Sequence, residues 1–139
     1  MNPIKKILLV VAIVISICVV VVVIIKVLGK GENKNMGYKQ ITMDEAMEIF
    51  KQPGEYIILD VRTFEEFNGG HIPGAICIPN ENIGSEPPAE LSDKDQLIYV
   101  YCRSGNRSKK AAQKLVDMGY TNIVEFGGII DWKGEKVTS

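Results

Sequence analysis

Tyr99-Val100-Tyr101-Cys102-Arg103-Ser104-Gly105-Asn106-Arg107-Ser108 reads as the end of one structural element and the start of the next. The apolar run Leu97 to Tyr101 delivers a cysteine to its C-terminal end, a short stretch of polar residues and glycine follows, and a helical pattern begins near Ser108. A strand, a tight polar loop and a helix N-terminus form an anion cradle, because unpaired backbone N–H groups and the helix dipole point at the loop's centre. A cysteine at the rim of such a cradle is expected to react as a thiolate. Arg103 and Arg107 add positive charge on either side of it.

Outward from this loop, strand and helix patterns alternate. Tyr38 to Ile41 reads as a short first strand. Thr42-Met43-Asp44-Glu45 fits a capping box opening a helix whose apolar side is Ala46, Met47, Ile49 and Phe50, and Pro53-Gly54 stops it. Tyr56 to Val61 is a continuous apolar run broken only by Asp60, as expected of a strand buried on both faces of a parallel sheet. Thr63-Phe64-Glu65-Glu66 is a second capping box, and its helix is short because Gly69-Gly70 ends it. His71-Ile72-Pro73-Gly74 is a turn, and Ala75 to Ile78 a third strand. Asn80 to Asp95 is irregular, with at most one helical turn at Pro87 to Leu91.

Leu97 to Tyr101 is the fourth strand. The helix beyond the loop runs from Ser108 to about Met118, with Ala111, Ala112, Leu115 and Val116 facing in and Gly119 ending it. Ile123 to Phe126 is a fifth strand, and Ile129, Ile130 and Trp132 pack a final short helix on the sheet. The pattern predicts a small α/β domain with a mostly parallel five-stranded sheet and helices on both faces. Sites in such sheets form at the carboxyl ends of strands, where Cys102 falls.

The N-terminus is of a different kind. Ile7 to Ile25 holds no charged residue, and its nineteen residues, at about 1.5 Å each, span roughly the ~30 Å core of a bilayer. Residues 1–28 are expected to form a membrane anchor (span about 7–25), 29–37 a linker, and 38–139 the domain. Lys5 and Lys6 give a signal-like start, but no small-x-small cleavage site follows the apolar run. Cys18 lies mid-run after the bulky Ile17, where a lipoprotein site would have a small residue. An uncleaved single-pass anchor is the expectation. Lysines on the two sides nearly balance, and the short basic head favours an extracytoplasmic domain.

From Met36 onward eleven Lys/Arg stand against sixteen Asp/Glu, a balance of −5. This argues against a nucleic-acid surface. Cys77 and Cys102 are too few for a disulfide-stapled scaffold, and no His/Cys cluster has metal-site spacing.

Leu59-Asp60-Val61-Arg62, Glu65-Glu66-Phe67, Gly70-His71-Ile72-Pro73-Gly74-Ala75, and Cys102-Arg103-Ser104-Gly105-Asn106-Arg107-Ser108 together resemble the rhodanese family. Gly127-Gly128 with Trp132 adds that family's C-terminal signature, so the resemblance runs from about Tyr38 to Trp132. It implies a sulfurtransferase: a loop cysteine attacks a small anionic sulfane sulfur donor such as thiosulfate, becomes a persulfide, and passes the sulfur to cyanide or a thiol, including a protein acceptor. Carried over, Cys102 is the nucleophile. The backbone of Arg103, Ser104, Gly105, Asn106, Arg107 and Ser108 surrounds the persulfide, and the two arginine side chains bind the donor. No cofactor is implied. The chemistry agrees, since thiolate, anion pocket and stabilised leaving group are all served by one positively polarised cradle.

Four residues separate Cys102 from Arg107. The loops of related phosphatases and arsenate reductases are one residue longer, which admits a tetrahedral oxyanion; the shorter ring fits a single terminal sulfur, and no carboxylate within it could serve as a phosphatase acid. Asp60 and Arg62 are expected to support the strand end and turn rather than to act chemically, and His71 to fix its turn. Trp132 reads as core. Cys77 departs from the family's usual Asn at this position. It could serve as a resolving thiol if its Cα lies within ~7 Å of that of Cys102. Two alternatives to the enzyme therefore stand: a persulfide carrier serving a membrane partner, and a redox sensor pairing Cys77 with Cys102.

Overall fold

The computed structural model describes residues 1–28 and 37–139, and side chains outside residues 22–36. The predicted linker, apart from Gly37, lies outside the described residues. The chain divides into two compact units, residues 1–34 and 35–139.

In the first unit, α1 spans Pro3–Leu28. Proline suits its first position, where an N–H would have no intrahelical partner anyway. Its Pro3–Val21 stretch has a mean hydropathy of 2.8, and none of that window is buried within the protein. It is thus one helix long and apolar enough to cross a membrane, a property that signal sequences share.

The second unit holds β1 (Lys39–Gln40), α2 (Met43–Phe50), β2 (Tyr56–Asp60), α3 (Phe64–Asn68), β3 (Ile76–Cys77), β4 (Leu97–Cys102), α4 (Asn106–Asp117) and β5 (Ile123–Gly128). The strands form one sheet in the order β1-β5-β4-β2-β3, with every pair parallel. The expected architecture is therefore present, and β4 lies at the sheet's centre. Short 3₁₀ turns occupy Asn80–Asn82, Ala89–Leu91 and Ile129–Asp131.

Both capping boxes form: Glu45 N–H donates to Thr42 Oγ1 at 3.1 Å and Thr42 N–H to Glu45 Oε2 at 2.7 Å. The equivalent pair at Thr63 and Glu66 spans 2.9 and 3.2 Å. Each satisfies N–H groups that a helix start leaves unpaired.

Strand alternation splits the core into two layers. Leu59, Val61, Ile98, Val100 and Cys102 face α4, whose Ala111, Ala112 and Leu115 complete that layer. Ile58, Tyr99, Tyr101, Val124 and Phe126 face the other way, against Met43 and Ala46 of α2 and Ile129. Burying a large apolar side chain of this kind contributes about 1.5–3 kcal/mol.

Several local expectations are corrected. In α2, Met43 joins Ala46 inside while Ile49 is 37% exposed, because helical spacing puts Met43, Ala46 and Phe50 on the face that meets the sheet and turns Ile49 away from it. The last turn buries Ile129 but leaves Ile130 61% exposed, and Trp132 is half-buried, its indole N–H donating to Glu135 O at 2.9 Å. The loop helix starts at Asn106 rather than near Ser108, because Gly105 occupies the N-cap position with φ +102° and turns the chain two residues earlier.

Candidate active site

The site sits where the central strand gives way to α4. Cys102 ends β4 and is 1% exposed. The loop then doubles back so that Gly105 N–H donates to Cys102 Sγ at 3.0 Å. Only a positive φ permits that return, and glycine adopts it without a Cβ penalty. No side chain caps α4, and its first turn contains no acid. The unpaired amides and positive dipole end of α4 thus face the loop uncompensated.

The end of β5 forms the loop's floor. Cys102 is in register with Gly128, and Ile130 N–H donates to Arg103 O at 3.3 Å. A Cβ on Gly128 would lie 2.1 Å from Arg103 O and 2.6 Å from Ser104 Cα. The Gly127-Gly128 pair therefore has a physical purpose: it lets one backbone lie directly on another.

The two loop arginines differ. Arg103 is exposed and lines an open hollow of about 490 Å³ with Arg62, Glu66, Ile129, Ile130 and Lys136. Arg107 is engaged in a two-point ion pair, Nη1 to Glu66 Oε2 at 2.7 Å and Nη2 to Oε1 at 2.9 Å. The same Glu66 closes the second capping box, so one carboxylate ties α3 to α4. Arg107's hydrogen bonds, against a smaller opposing effect of burial, hold the Glu66 carboxyl down at about 2. Ser104 and Asn106 are exposed, and Ser108 is fully buried beneath the loop.

Asp60 and Arg62 are occupied with each other. Both are buried, and Arg62 Nε and Nη2 donate to the Asp60 carboxylate at 2.6–3.0 Å. Arg62 N–H adds a bond at 2.9 Å, and Nη2 also reaches Gly70 O at 2.8 Å. The pair fixes the strand end and the following turn. His71 exchanges backbone bonds with Val137, donates from Nδ1 to Phe67 O at 2.9 Å, and stacks on the Phe67 ring at 3.7 Å.

Cys77 does not meet Cys102. Asp60 pairs with Cys77 on one side and with Tyr101 on the other, so two strand spacings, roughly 9.5 Å, separate the cysteines' strands. Cys102 belongs to the α4 layer, whereas Cys77 alternates away from Ile76, which packs against that layer. Cys77 Sγ instead lies 3.5 Å from Arg62 O. The Cys77–Cys102 redox pair is therefore corrected: a disulfide needs Cα atoms within ~7 Å. Burial, with Asp60's charge adding to it, pushes the Cys77 thiol up to about 11.

One residue escaped the sequence reading. Glu125, in the middle of β5, is 2% exposed. Its carboxylate accepts from Ser108 Oγ at 2.6 Å, Gly127 N–H at 2.9 Å and Gln40 Nε2 at 3.2 Å. In the sequence it is a lone charged residue within the apolar run Ile123 to Phe126, with no motif to mark it.

Comparison with known proteins places these features in a family. The Rhodanese-like domain profile matches residues 42–135. Thiosulfate sulfurtransferase GlpE of Coxiella burnetii is 33% identical over 105 residues, which cover 75% of this chain and 95% of that one. Adenylyltransferase and sulfurtransferase UBA4 of Meyerozyma guilliermondii is 38% identical over 89 residues, covering 58% of this chain but only 21% of that larger protein. Among solved structures, a rhodanese-like domain protein from Staphylococcus aureus superposes with a TM-score of 0.61 at 34% identity, over 73% of this chain and 99% of that one.

Proposed function

The chain belongs to the rhodanese-like domain family, and on that premise we propose that it is a sulfurtransferase working through a persulfide on Cys102. The observation that carries this reading is the sulfur itself, placed at the end of the central strand with four residues between it and Arg107 and receiving the Gly105 N–H at 3.0 Å. Backbone donation of this kind stabilises negative charge on sulfur before and after transfer.

The Cys102 thiolate attacks the sulfane sulfur of thiosulfate. The new S–S bond forms as the donor's S–S bond breaks, and the electron pair leaves with sulfite. The loop amides and the dipole of α4 hold the resulting Cys102–S–S⁻. Cyanide or a thiolate then takes the outer sulfur and restores the Cys102 thiolate. The exposed Arg103 guanidinium, beside Lys136 in the adjoining hollow, attracts the donor. Arg107, neutralised by Glu66, contributes through the position of the loop.

The first 28 residues serve as a single-pass tether, with the catalytic domain on the extracytoplasmic side. The apolar Pro3–Val21 stretch, none of it buried within the protein, supports the tether, and the short basic head at Lys5 and Lys6 supports the orientation. Protease treatment of intact cells checks it: a domain degraded only after lysis refutes the outward orientation.

The activity test compares the full-length protein in detergent with Cys102→Ser in thiosulfate:cyanide sulfur transfer. Equal rates in the two overturn the reading. Stable sulfur uptake on Cys102 by mass spectrometry, with negligible turnover, replaces the enzyme with a persulfide carrier.

A further inference from the structure

Thiosulfate and cyanide are small inorganic ions with no apolar part, and the hollow beside the loop is more than they need. At about 490 Å³ it has the size of a small-molecule site. Its lining includes Ile129 and Ile130, the latter 61% exposed. An apolar wall contributes nothing to binding an inorganic anion, whereas it offers an organic ligand surface to bury.

The charges around the hollow sort into those already engaged and those free to meet a ligand. Arg62 is held by Asp60, and Glu66 by Arg107. Arg103, Lys136 and Glu65 also line the hollow, all three exposed, and none makes an ion pair among the described residues. Two free cations against one free carboxylate leave the hollow positive, which draws in anions. Lys136 lies one residue beyond the stretch matched to the family, and local backbone bonds hold it there. His71 and Val137 exchange bonds at 2.9 and 3.0 Å, and Ser139 N–H donates to Asn68 O at 3.3 Å. The lysine stem passes over Gly70, where an added Cβ would lie 3.9 Å from Lys136 Cβ and Cδ.

From this lining we infer that the hollow seats the sulfur acceptor, and that the acceptor it takes is a small organic thiol carrying a carboxylate. The carboxylate meets Lys136 and Arg103, and the carbon skeleton lies against Ile130. The inference rests on the Cys102 persulfide reading and names its acceptor class. The acceptor thiol loses its proton to solvent, and its thiolate attacks the outer sulfur of Cys102–S–S⁻. A new S–S bond forms on the acceptor as the bond to Cys102 breaks. The electron pair returns to the Cys102 sulfur, and the acceptor leaves as a persulfide anion. Both reactants are anions, so free cations beside the loop lower the cost of bringing them together. Lys136 is thus a specificity-determining residue for the second half of the reaction.

N-acetylcysteine and its amide provide the test, since they differ only in a carboxylate against a neutral amide. The full-length protein in detergent is loaded on Cys102 with thiosulfate and freed of excess donor, and discharge by each thiol is followed by mass spectrometry. The ratio of the two rates, carboxylate over amide, is compared between proteins, which cancels the intrinsic reactivity of the thiols. It should fall about 3-fold in Lys136→Gln and roughly 10-fold in Lys136→Glu, the scale of one and two exposed charge contacts, and Lys136→Arg should keep the wild-type ratio. Equal ratios in wild type and Lys136→Glu overturn the inference. So does a fall in Lys136→Arg as large as that in Lys136→Gln, or a loaded Cys102 that neither thiol discharges. If Cys102 takes up no sulfur, the sulfurtransferase reading falls, and alkylation at the Cys102 peptide reads the seat instead, as the rate with maleimidopropionate over that with N-ethylmaleimide. A lower ratio in Lys136→Glu then leaves a carboxylate seat without the transfer; an unchanged ratio removes the seat as well.

Discussion

Substituting Gly128 by alanine separates contact from conformation at the loop floor. Gly128 has ordinary extended dihedrals, φ −126° and ψ 142°, so alanine there costs no backbone strain. The cost is a collision. The added Cβ falls 2.1 Å from Arg103 O and 2.5 Å from Arg103 C, whereas real Cβ contacts essentially never lie under 3.0 Å. Loop and strand must part by roughly 1 Å, a displacement on the scale that costs about 100-fold in a positioned reaction. Overpacking of this kind costs typically 1–3 kcal/mol, and ~2 kcal/mol lowers the Tm of a domain this size by roughly 10 °C. Gly127→Ala is the control. Gly127 has φ +93° and open space around its Cβ position, so alanine there meets strain of about 1–2 kcal/mol but no clash. Sulfur loading of Cys102, followed by mass in a single turnover beside thermal melts, should fall about 100-fold in Gly128→Ala and far less in Gly127→Ala. Wild-type loading in Gly128→Ala, or an equal loss in both variants, refutes the close-approach argument.

Glu66→Gln keeps the capping geometry but removes the charge from Arg107. Because the folded carboxyl is depressed from 4.5 to about 2, its stabilisation is present above 4.5 and is lost as pH falls towards 2. After discounting for partial exposure this amounts to about 1 kcal/mol, so chemical denaturation should show a wild-type advantage at neutral pH that shrinks through that window; a constant difference contradicts it. Cys77→Ala should leave sulfur transfer unchanged, and the Cys77 thiol, held at about 11, should alkylate slowly at neutral pH. Peptide mapping after mild oxidation that recovers a Cys77–Cys102 disulfide would count against the fold described. Asp60→Asn strands a buried guanidinium and should cost about 3–5 kcal/mol in equilibrium unfolding; a loss below about 1 kcal/mol shows the pair to be dispensable.

The fold was legible because its cues are local. Thr42 with Glu45, and Thr63 with Glu66, lie within one helical turn, and Gly69-Gly70 marks a stop that any reader of turns would find. Cys102 was legible because strand, loop and helix start follow each other directly in the chain. The contacts that tune the site are not local. Arg107 meets Glu66 across 41 residues, and Ser108 meets Glu125 across 17. In the sequence Glu66 is fully explained as a cap, and Glu125 looks like an outward residue of a short strand. Only the packing of α4 against β5 turns that position inward. Gly105 misled in a smaller way. Its positive φ begins α4 two residues before the apolar periodicity becomes visible, since periodicity marks buried positions and the first turn of α4 buries only Ser108.

The strand between Cys77 and Cys102 also governs time. A thiol with a resolving neighbour empties itself on a clock set by its own structure. Here Cys77 cannot reach Cys102 without breaking β2 out of the sheet, so on the proposed reading a loaded Cys102 waits for a visitor. Its lifetime is then a property of the surroundings. The fraction of molecules carrying sulfur would follow the rate at which donors arrive relative to acceptors, and the protein's resting state would record that ratio.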